Sequence, residues 1–473
     1  MPSQALQEDQ QKSAGLDNGK QVQTSKKLED KPGKYRRPSS GNRGEKPRWT
    51  LSQFPVDPME GKSRFHDFAL PLSLMHAIAD LDFKYCTPIQ EKALPDVLAG
   101  KDIIGKASTG TGKSAVFLIA LFAQLLSENK EKKPSRKPGF PRALIIAPTR
   151  ELVMQIAKDA KALTKYTPLR IVAVFGGTDY QKQQKNLAGR PVDVVVATPG
   201  RLLDYASKKV INLKHAGVMV IDEADRMLDM GFIPDVRRII HMTPPKDRRQ
   251  TMLFSATITS EVKNLAAQWC TKPISIETES EQVAVDTVEQ IVYMTTSAEK
   301  YNVLYNLITH QEHERIIVFT NMKNEARRLY DRLKRNDINC TMLTGDVPQQ
   351  KRMARLESFR EGKVKVMIAT DVAGRGIHID GISHVVNYTL PYEPEDYVHR
   401  IGRTGRAGAT GISISFACEE GAFYLPDIEE YIGMSLKGSM PPDNLLVVPP
   451  KGSRPPRASS NKRRSPSRHR KKY

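Results

Sequence analysis

Short apolar runs recur along most of the chain and are separated by longer stretches with helical spacing. Between about Phe65 and Ile276 the runs include "DIIG", "ALIIAPT", "VDVVVATPG" and "GVMVIDEAD". A second series includes "ERIIVFTN", "VKVMIATD" and "GISISFA". Runs made almost entirely of Val, Ile and Leu indicate strands covered on both faces, as in a parallel sheet flanked by helices. The pattern therefore predicts an α/β fold.

The two series of strands resemble each other. "LIIAPTRELVMQI" resembles "IIVFTNMKNEARRL", and "VVVATPGR" resembles "VMIATDVAGR". We therefore predict two tandem domains of one architecture, at residues 62–277 and 291–440, joined by a polar linker at 278–290.

The two ends of the chain show no sustained periodicity. Residues 1–61 are rich in Gln, Lys, Ser, Gly and Pro, and residues 441–473 in Pro, Ser and Arg, so both are predicted to be disordered. No apolar run approaches the ~18 residues that a membrane-spanning helix needs, and the first residues are polar. We expect a cytoplasmic protein with no membrane segment.

The net charge of the chain indicates one class of binding partner. The chain carries a net charge of +20, and residues 441–473 hold 10 Lys and Arg against one Asp. Residues 1–61 hold 11 Lys and Arg against 8 Asp and Glu. Such an excess indicates a polyanionic partner, although charge alone does not separate nucleic acid from a membrane surface. The four cysteines are scattered without metal-ligand spacing, which indicates reduced structural thiols.

The first strand of the first domain leads into "ASTGTGKS", a pattern typical of a phosphate-binding loop. Glycines allow successive backbone N–H groups to converge on phosphate oxygens, the lysine supplies a positive charge, and the serine hydroxyl can bind Mg²⁺. The helix that follows directs its positive end at the same anion. A simple glycine-rich turn is the alternative. The candidate ATP-binding loop comprises Ala107, Ser108, Thr109, Gly110, Thr111, Gly112, Lys113 and Ser114.

Carboxylates end a buried strand in "GVMVIDEAD". Asp222 stands where a nucleotide-binding fold holds the metal, directly or through water, and Glu223 is the candidate base that activates the attacking water. Acidic capping of the next helix is the alternative interpretation. The phosphate-binding loop upstream favours Mg²⁺ on a nucleoside triphosphate.

At this point the sequence resembles the DEAD-box RNA helicases over residues 65–435. Besides the two motifs above, it contains "CTPIQ", "PTREL", "TPGR", "SAT", "TGD", "ATDVAGRG" and "HRIGRTGR" in the family's order. The resemblance implies two RecA-like domains, ATP and Mg²⁺ as ligands, and RNA-stimulated ATP hydrolysis that separates or remodels short RNA duplexes without sequence preference. Resemblance to bacterial members further implies a role in RNA degradation and a degradosome nuclease as partner.

The resemblance also assigns the adenine site. Gln90 is expected to contact adenine through its side-chain amide, which matches an edge that guanine lacks. Phe65 is expected to stack on the base, with a role as a core aromatic as the alternative. Thr87 is expected to position the Gln90 loop and the phosphate-binding loop.

Coupling of the two domains is assigned to a further group of residues. Ser255 and Thr257 of "SAT" are expected to hold Asp225 and His399 in the closed state, although His399 alone could be a core histidine. Arg403 and Arg406 resemble arginine fingers that reach the γ-phosphate from the second domain. The expected catalytic residues are Lys113, Asp222, Glu223, Asp225, Ser255, Thr257, His399, Arg403 and Arg406.

RNA is expected to lie across both domains. Backbone N–H groups at glycines, hydroxyls and arginines can bind phosphates and 2′-hydroxyls without reading bases, although any one of these residues could equally be a solvated loop residue. The expected contacts are Pro148, Thr149, Arg150, Gly176, Gly177, Thr198 and Arg201 in the first domain, and Asn321, Gln349, Arg352 and Thr370 in the second.

The sequence departs from the family pattern at five positions. Asp82 replaces a glycine, Ser108 and Ser114 replace Gln and Thr in the phosphate-binding loop, and His378 and Thr389 replace two aspartates. Ser114 keeps the hydroxyl that can bind a metal. The changes at His378 and Thr389 bear on the second-domain side of the nucleotide site, and the loss at Ser108 bears on its contact with that domain. Two other functions stay open from the sequence: a nucleotide-gated RNA clamp that needs no turnover, and a DNA helicase.

Overall fold

The computed structural model describes residues 49–107, 111–127, 137–277, 288–310, 315–374, 379, 381–405 and 411–451. Within these ranges two α/β domains follow each other along the chain. No helix in the described ranges is long and apolar enough to cross a membrane.

Seven parallel strands form the sheet of the first domain. They are β1 (Ile103–Lys106), β2 (Ala143–Ile146), β3 (Ile171–Val174), β4 (Val194–Ala197), β5 (Val218–Ile221), β6 (Gln250–Ser255) and β7 (Ile274–Glu277). Their order across the sheet is β3-β4-β2-β5-β6-β1-β7. Every residue of β2, β4 and β5 is buried, which explains why these strands have continuous apolar sequences. The strand β6 is also buried throughout, although it begins with Gln250 and Thr251.

Helices cover both faces of this sheet. They are α1 (Leu72–Asp80), α2 (Pro88–Leu98), α3 (Lys113–Ser127), α4 (Arg150–Leu163), α5 (Tyr180–Ala188), α6 (Pro199–Ser207), α7 (Ala224–Asp229), α8 (Ile233–Met242) and α9 (Ser260–Trp269). Because side chains alternate along a strand, Ile145 packs into one core and its neighbours Leu144 and Ile146 pack into the other. Short 3-10 helices lie at Leu51–Gln53, Phe65–Asp67 and Lys246–Arg248.

The second domain repeats the strand order of the first. Its strands are β8 (Val288–Met294), β9 (Ile316–Thr320), β10 (Cys340–Leu343), β11 (Val366–Thr370), β12 (His384–Asn387), β13 (Gly411–Ala417) and β14 (Gly438–Ser439). The order β10-β11-β9-β12-β13-β8-β14 matches the first sheet strand for strand. The prediction of two tandem α/β domains with parallel sheets is therefore confirmed.

The helices of the second domain pack on both faces of its sheet. They are α10 (Lys300–His310), α11 (Lys323–Arg335), α12 (Gln349–Arg360), α13 (Asp371–Gly374), α14 (Pro394–Ile401), α15 (Leu425–Ile432) and α16 (Asp443–Leu446), with a 3-10 helix at Ala422–Tyr424.

Residues 49–61 are folded, so the prediction that disorder extends to residue 61 is wrong for this stretch. Trp49 stacks on His76 of α1 with ring centroids 4.7 Å apart, and His76 stacks in turn on Tyr166. Phe54 is buried in the core, and its carbonyl oxygen lies 2.8 Å from His66 Nε2. Two aromatic anchors in a polar segment are enough to attach it to the domain. Residues 1–48 lie outside the described part.

Two other boundaries differ from those expected. Val288–Gln290, assigned to the linker, are the first residues of β8, while 278–287 lie outside the described residues. Residues 441–451, assigned to the disordered tail, include α16. Asn306 of α10 donates through Nδ2 to the carbonyl oxygens of Leu445 at 2.9 Å and Val447 at 2.8 Å, which attaches this segment to the domain. The remainder of the tail, 452–473, is not described.

Candidate active site

The phosphate-binding loop lies between β1 and α3, as the sequence predicts. Gly112 has a φ of +92°, and a Cβ there would lie 2.4 Å from Gln90 Nε2, so only glycine fits. Gln90 donates to the Gly112 carbonyl oxygen at 3.2 Å and accepts from the Thr87 N–H at 2.9 Å. Gln90 therefore links the adenine motif directly to the phosphate-binding loop. Ser108, Thr109 and Gly110 lie outside the described residues.

Lys113 begins α3, and its ammonium group is buried. Among the described residues Nζ has no hydrogen-bond partner. Asp222, at the end of β5, is also buried; burial raises its pKa to about 6, although the positive charge of Lys113 opposes this. A buried ammonium without a hydrogen bond among the described residues, in a site with a carboxyl group whose pKa is raised by burial, indicates a site built for further charged groups.

Glu223 adopts a strained backbone conformation. Its φ and ψ are both 55°, in the left-handed region, which costs a non-glycine residue roughly 1–2 kcal/mol. Its N–H donates to Asp222 Oδ1 at 3.0 Å, and Arg226 donates to its Oε2 at 3.3 Å. Oε1 has no partner among the described residues. This left-handed conformation turns the chain sharply after β5. Glu223 Oε1 stays available for a ligand.

The "SAT" segment contacts Asp225, as expected. The Asp225 N–H donates to Ser255 Oγ at 3.1 Å, and Asp225 Oδ2 accepts from the N–H groups of Ala256 and Thr257, both at 2.9 Å. Thr257 Oγ1 donates to the same oxygen at 3.2 Å. Although burial raises the pKa of Asp225, these donors and Lys113 outweigh it and lower the pKa overall. Asp225 is therefore ionised.

Phe65 does not offer a stacking surface, so the expectation that it stacks on adenine is not met. The ring is fully buried in the core and lies against Phe83, with centroids 6.2 Å apart. The alternative, a core aromatic, describes this residue. Asp82, where the family has glycine, has a φ of 53°, which short polar side chains tolerate better than most. The turn that glycine would form is thus kept.

His399 of the second domain lies within electrostatic reach of Asp225 and Arg226 of the first. Burial lowers the pKa of His399, Asp396 opposes this, and charges from both domains act on the ring, including Arg226 and Asp225. Arg403 is buried and donates through Nε to the His399 carbonyl oxygen at 3.1 Å. His399 and Asp225 therefore influence each other electrostatically across the cleft. Arg406 lies outside the described residues.

Arg400 is a functional-site residue that sequence reasoning missed. Its guanidinium is fully buried and donates to both carboxylate oxygens of Asp371, at 2.6 and 2.7 Å. It also donates to Asn321 Oδ1 at 2.7 Å and to the Thr389 carbonyl oxygen at 2.6 Å. Arg400 is the first arginine of "HRIGRTGR", and its place in this motif is the feature of the sequence that could have identified it. It fixes α14, which carries His399, to the second sheet.

The expected RNA contacts of the first domain lie at the carboxyl ends of its strands. Pro148 and Thr149 are buried, and Thr149 caps α4 by accepting from the Leu152 N–H at 3.3 Å. Arg201 lies over the rings of Tyr180 and Tyr205, 5.1 and 5.7 Å from their centroids. Partly or fully exposed at this surface are Arg150, Gly176, Gly177, Thr198 and Arg201.

Residues of the two domains meet directly beside this surface. Arg150 donates to Gln349 Oε1 at 3.3 Å, and Gln349 donates to Glu151 Oε1 at 3.0 Å. Arg352 forms a 2.5 Å ion pair with Glu151, and both side chains are more than 90% buried. A Cβ on Gly177 would lie 2.1 Å from Arg150 Nη1, so glycine is required there. The two domains are therefore packed in a closed arrangement.

Like Gln349 and Arg352, the other two expected RNA contacts in the second domain are occupied within the protein. Asn321 accepts from Arg400 and donates to the Leu390 carbonyl oxygen at 2.8 Å, so its side-chain amide is engaged at both ends. Thr370 is buried at the end of β11. Asn321 and Thr370 therefore stabilise the loops at the carboxyl ends of the second-domain strands, and their side chains are not exposed for RNA binding. Thr389 Oγ1 accepts from the Asn321 N–H at 2.9 Å, while His378 lies outside the described residues.

The site and fold together define a nucleotide-dependent helicase. Residues 87–265 match the DEAD/DEAH box helicase family, and residues 299–408 match the helicase conserved C-terminal domain. The chain is 59% identical over 396 residues to the ATP-dependent RNA helicase RhlB of Pseudomonas putida, which covers 84% of this chain and 99% of that protein. It is 45% identical over 389 residues to RhlB of Shewanella frigidimarina, covering 82% and 89% respectively. The chain belongs to the DEAD-box helicases.

Motifs in both domains already indicate the RhlB-like subgroup. They are "CTPIQ" in the first domain and "RGIHI", "RIGRTGRAGATGISISFACEE" and "LPDIEEYIG" in the second. The similarity to RhlB proteins of several bacteria confirms that interpretation.

Solved structures of related helicases share the two-domain arrangement. Dbp5 of S. cerevisiae bound to RNA and ADP BeF3 matches with a TM-score of 0.70 and 32% identity, over 79% of this chain and 95% of that chain. Mss116p bound to ssRNA and AMP-PNP matches with a TM-score of 0.72 and 26% identity, over 83% and 82% respectively. Both neighbours confirm the tandem RecA-like fold.

Proposed function

We propose that this chain is an ATP-dependent RNA helicase whose RNA-stimulated ATP hydrolysis separates or remodels short RNA duplexes. The observation that carries the proposal is the composite site: Lys113, Asp222 and Glu223 of the first domain lie in one cluster with Asp225, which interacts electrostatically with His399 of the second. Such a site is complete only when the domains are closed, so turnover depends on what closes them.

The residues of the first domain suit Mg²⁺–ATP. Lys113 Nζ and Glu223 Oε1 are buried without partners among the described residues, and Ser114 and Asp222 supply oxygen donors of the kind that Mg²⁺ takes together with substrate phosphates. When bound, the metal neutralises charge on the phosphates. Lys113 holds the terminal phosphates, and Glu223 accepts the proton of the attacking water through Oε1. Asp225, fixed by "SAT", holds His399 and with it the second domain.

The second domain supplies positive charge to the transferred phosphoryl group. Arg403 follows His399 by four residues and donates to its carbonyl oxygen, and Arg406 follows in the same motif. Arginines that reach the γ-phosphate only in the closed state make hydrolysis conditional on closure. Arg400 acts on the reaction indirectly, because it fixes the helix that precedes these residues.

RNA binds across both domains and promotes closure. Arg150, Gly177 and Arg201 lie at the exposed edge of the first sheet, next to the contacts with Gln349 and Arg352. Backbone and arginine contacts of this kind bind phosphates and 2′-hydroxyls, so sequence preference is not expected. A closed cleft that bends one strand excludes a regular duplex, which releases the complementary strand.

The cellular setting belongs to the same proposal. Similarity to the RhlB helicases supports a role in RNA degradation in the cytoplasm, with a degradosome nuclease as partner. Mg²⁺ is the expected metal because it accompanies ATP.

Strand release from a short labelled RNA duplex tests the proposal. We expect release with ATP at catalytic enzyme concentration and only stoichiometric release with a non-hydrolysable analogue. Equal release with both would favour the RNA clamp. ATPase activity measured with RNA and with DNA of the same sequence is the second arm, and equal activation by DNA would overturn the assignment of RNA as substrate.

A further inference from the structure

A groove of about 1,120 Å³ lies on the first domain, at the edge of the sheet opposite the active site. Phe140, His215 and Arg248 line it just before β2, β5 and β6, respectively. Asp222 and Ser255 stand at the other ends of β5 and β6. Because a strand rises ~3.3 Å per residue, strands of this length keep the groove roughly 13–20 Å from the active site. The groove is therefore separate from the ATP and RNA sites.

The groove carries a uniform positive charge. Lys209, Lys214 and Arg248 are exposed at its rim, and none forms an ion pair with another described residue. His215 and His241 add to the lining, whereas the described residues that line the groove include no Asp or Glu. Unpaired cations around a concave surface concentrate field lines and attract an anionic partner.

Apolar groups form the rest of the lining. Phe140 lies against His215 with ring centroids 5.3 Å apart, and Met242 is 36% exposed. Val210 and Pro244 continue this surface. Single-stranded RNA sites present separate rings on which successive bases stack. Among the described lining residues Phe140 and His215 are tilted by 48° against each other and do not form a stacking ladder. Aliphatic groups supply most of the remaining apolar surface, so apolar side chains of a peptide fit better than bases.

The walls of the groove are held by hydrogen bonds and are thus preformed. The Asn212 N–H donates to the Gly139 carbonyl oxygen at 2.8 Å, and the buried Arg249 donates to the carbonyl oxygens of Pro244 at 3.2 Å and Trp269 at 3.0 Å. Gly139 has a φ of +79°, and a Cβ there would lie 2.6 Å from the Val210 carbonyl oxygen. A rigid surface loses little conformational entropy when it binds a ligand.

We propose that this groove docks an acidic peptide segment of a partner protein, one that carries at least two carboxylates and one apolar side chain. The carboxylates lie against Lys209, Lys214 and Arg248, and the apolar side chain lies against Phe140 and Met242. This docking is independent of the helicase reaction, because the groove shares no residue with the ATP or RNA sites.

Fluorescence anisotropy on the full chain tests the proposal. The probe is a labelled peptide of about 12 residues in which Glu and Asp alternate with Leu and Phe, long enough at ~3.3 Å per residue to span the groove. Its amide counterpart, with Gln and Asn, is the charge control. The groove variant combines Lys214→Glu with Arg248→Glu, and the matched control combines Lys161→Glu with Lys263→Glu, which are exposed lysines outside the groove.

We expect the acidic peptide to bind the unaltered chain and the control variant equally, and the groove variant at least about tenfold more weakly, with the difference shrinking as salt increases. RNA-activated ATPase and thermal unfolding should be the same in all three proteins. No binding to the unaltered chain, or equal weakening in both variants, would overturn the proposal. So would displacement of the peptide by oligouridine together with weaker oligouridine binding by the groove variant, which would make the groove an RNA site.

Discussion

Removal of the Arg352 side chain should oppose closure of the two domains without unfolding either one. The Glu151–Arg352 pair is buried, with a separation of 2.5 Å, and among the described residues Gln349 is the one other group that bonds the same carboxylate oxygen. Truncation of one member of a buried pair costs ~3–5 kcal/mol, because the other charge stays desolvated. Here the cost falls on the closed state, since Glu151 regains water when the domains separate. The closure equilibrium should shift at least about 100-fold, at ~1.4 kcal/mol per factor of ten.

A double-mutant cycle separates this contact from direct RNA binding. The RNA concentration for half-maximal ATPase is measured for Glu151→Ala, Arg352→Ala and the double variant, with fluorescence transfer between labels on the two domains as a readout of closure. We expect each single variant to need far more RNA, and the double variant to be no worse than Arg352→Ala. If Glu151→Ala is harmless and the two effects add, Arg352 acts on RNA alone. A lower melting temperature for Arg352→Ala would also refute the reasoning.

Further predictions concern catalysis, nucleotide choice and the basic tail. Glu223→Gln should retain ATP binding and lose about 10²-fold or more in kcat, and near-normal turnover would exclude it as the base. Arg406→Ala should lower kcat roughly 10³-fold with little change in ATP affinity, and rapid hydrolysis by residues 62–277 alone would contradict the two-domain site. Gln90→Ala should reduce the ATP:GTP ratio of kcat/KM; an unchanged ratio places adenine recognition elsewhere. Deletion of 452–473 should raise the RNA concentration for half-maximal ATPase and flatten its salt dependence, whereas identical log–log slopes would show that the tail does not bind RNA.

Most of the architecture could be predicted from the sequence because parallel strands buried on both faces leave long apolar runs. The similarity of "LIIAPTRELVMQI" to "IIVFTNMKNEARRL" reflects equivalent positions in the two sheets, since they belong to β2 and β9. The similarity of "VVVATPGR" to "VMIATDVAGR" likewise corresponds to β4 and β11. Local patterns were enough here, because each strand and its following loop form one unit.

The fate of individual side chains could not be predicted in the same way. A motif places a residue in a loop, but burial depends on tertiary neighbours. Phe65 lies under Phe83, and Asn321 is held by Arg400, and no spacing in the sequence signals either contact. The sequence likewise does not signal the order at Trp49, because its partner His76, which stacks in turn on Tyr166, is far away along the chain. Composition describes an average over a segment, whereas one stacked ring is enough to order it.

The repeated sheet order has a consequence for stoichiometry. β8 occupies the place in the second sheet that β1 occupies in the first, so the phosphate-binding loop has a positional equivalent after β8. That equivalent is "TTSAE" (295–299), which contains no glycine and leads into α10 at Lys300. Without glycine, successive N–H groups cannot easily converge on a phosphate. One ATP is therefore expected per chain, so that each round of hydrolysis should consume a single nucleotide instead of alternating between two sites.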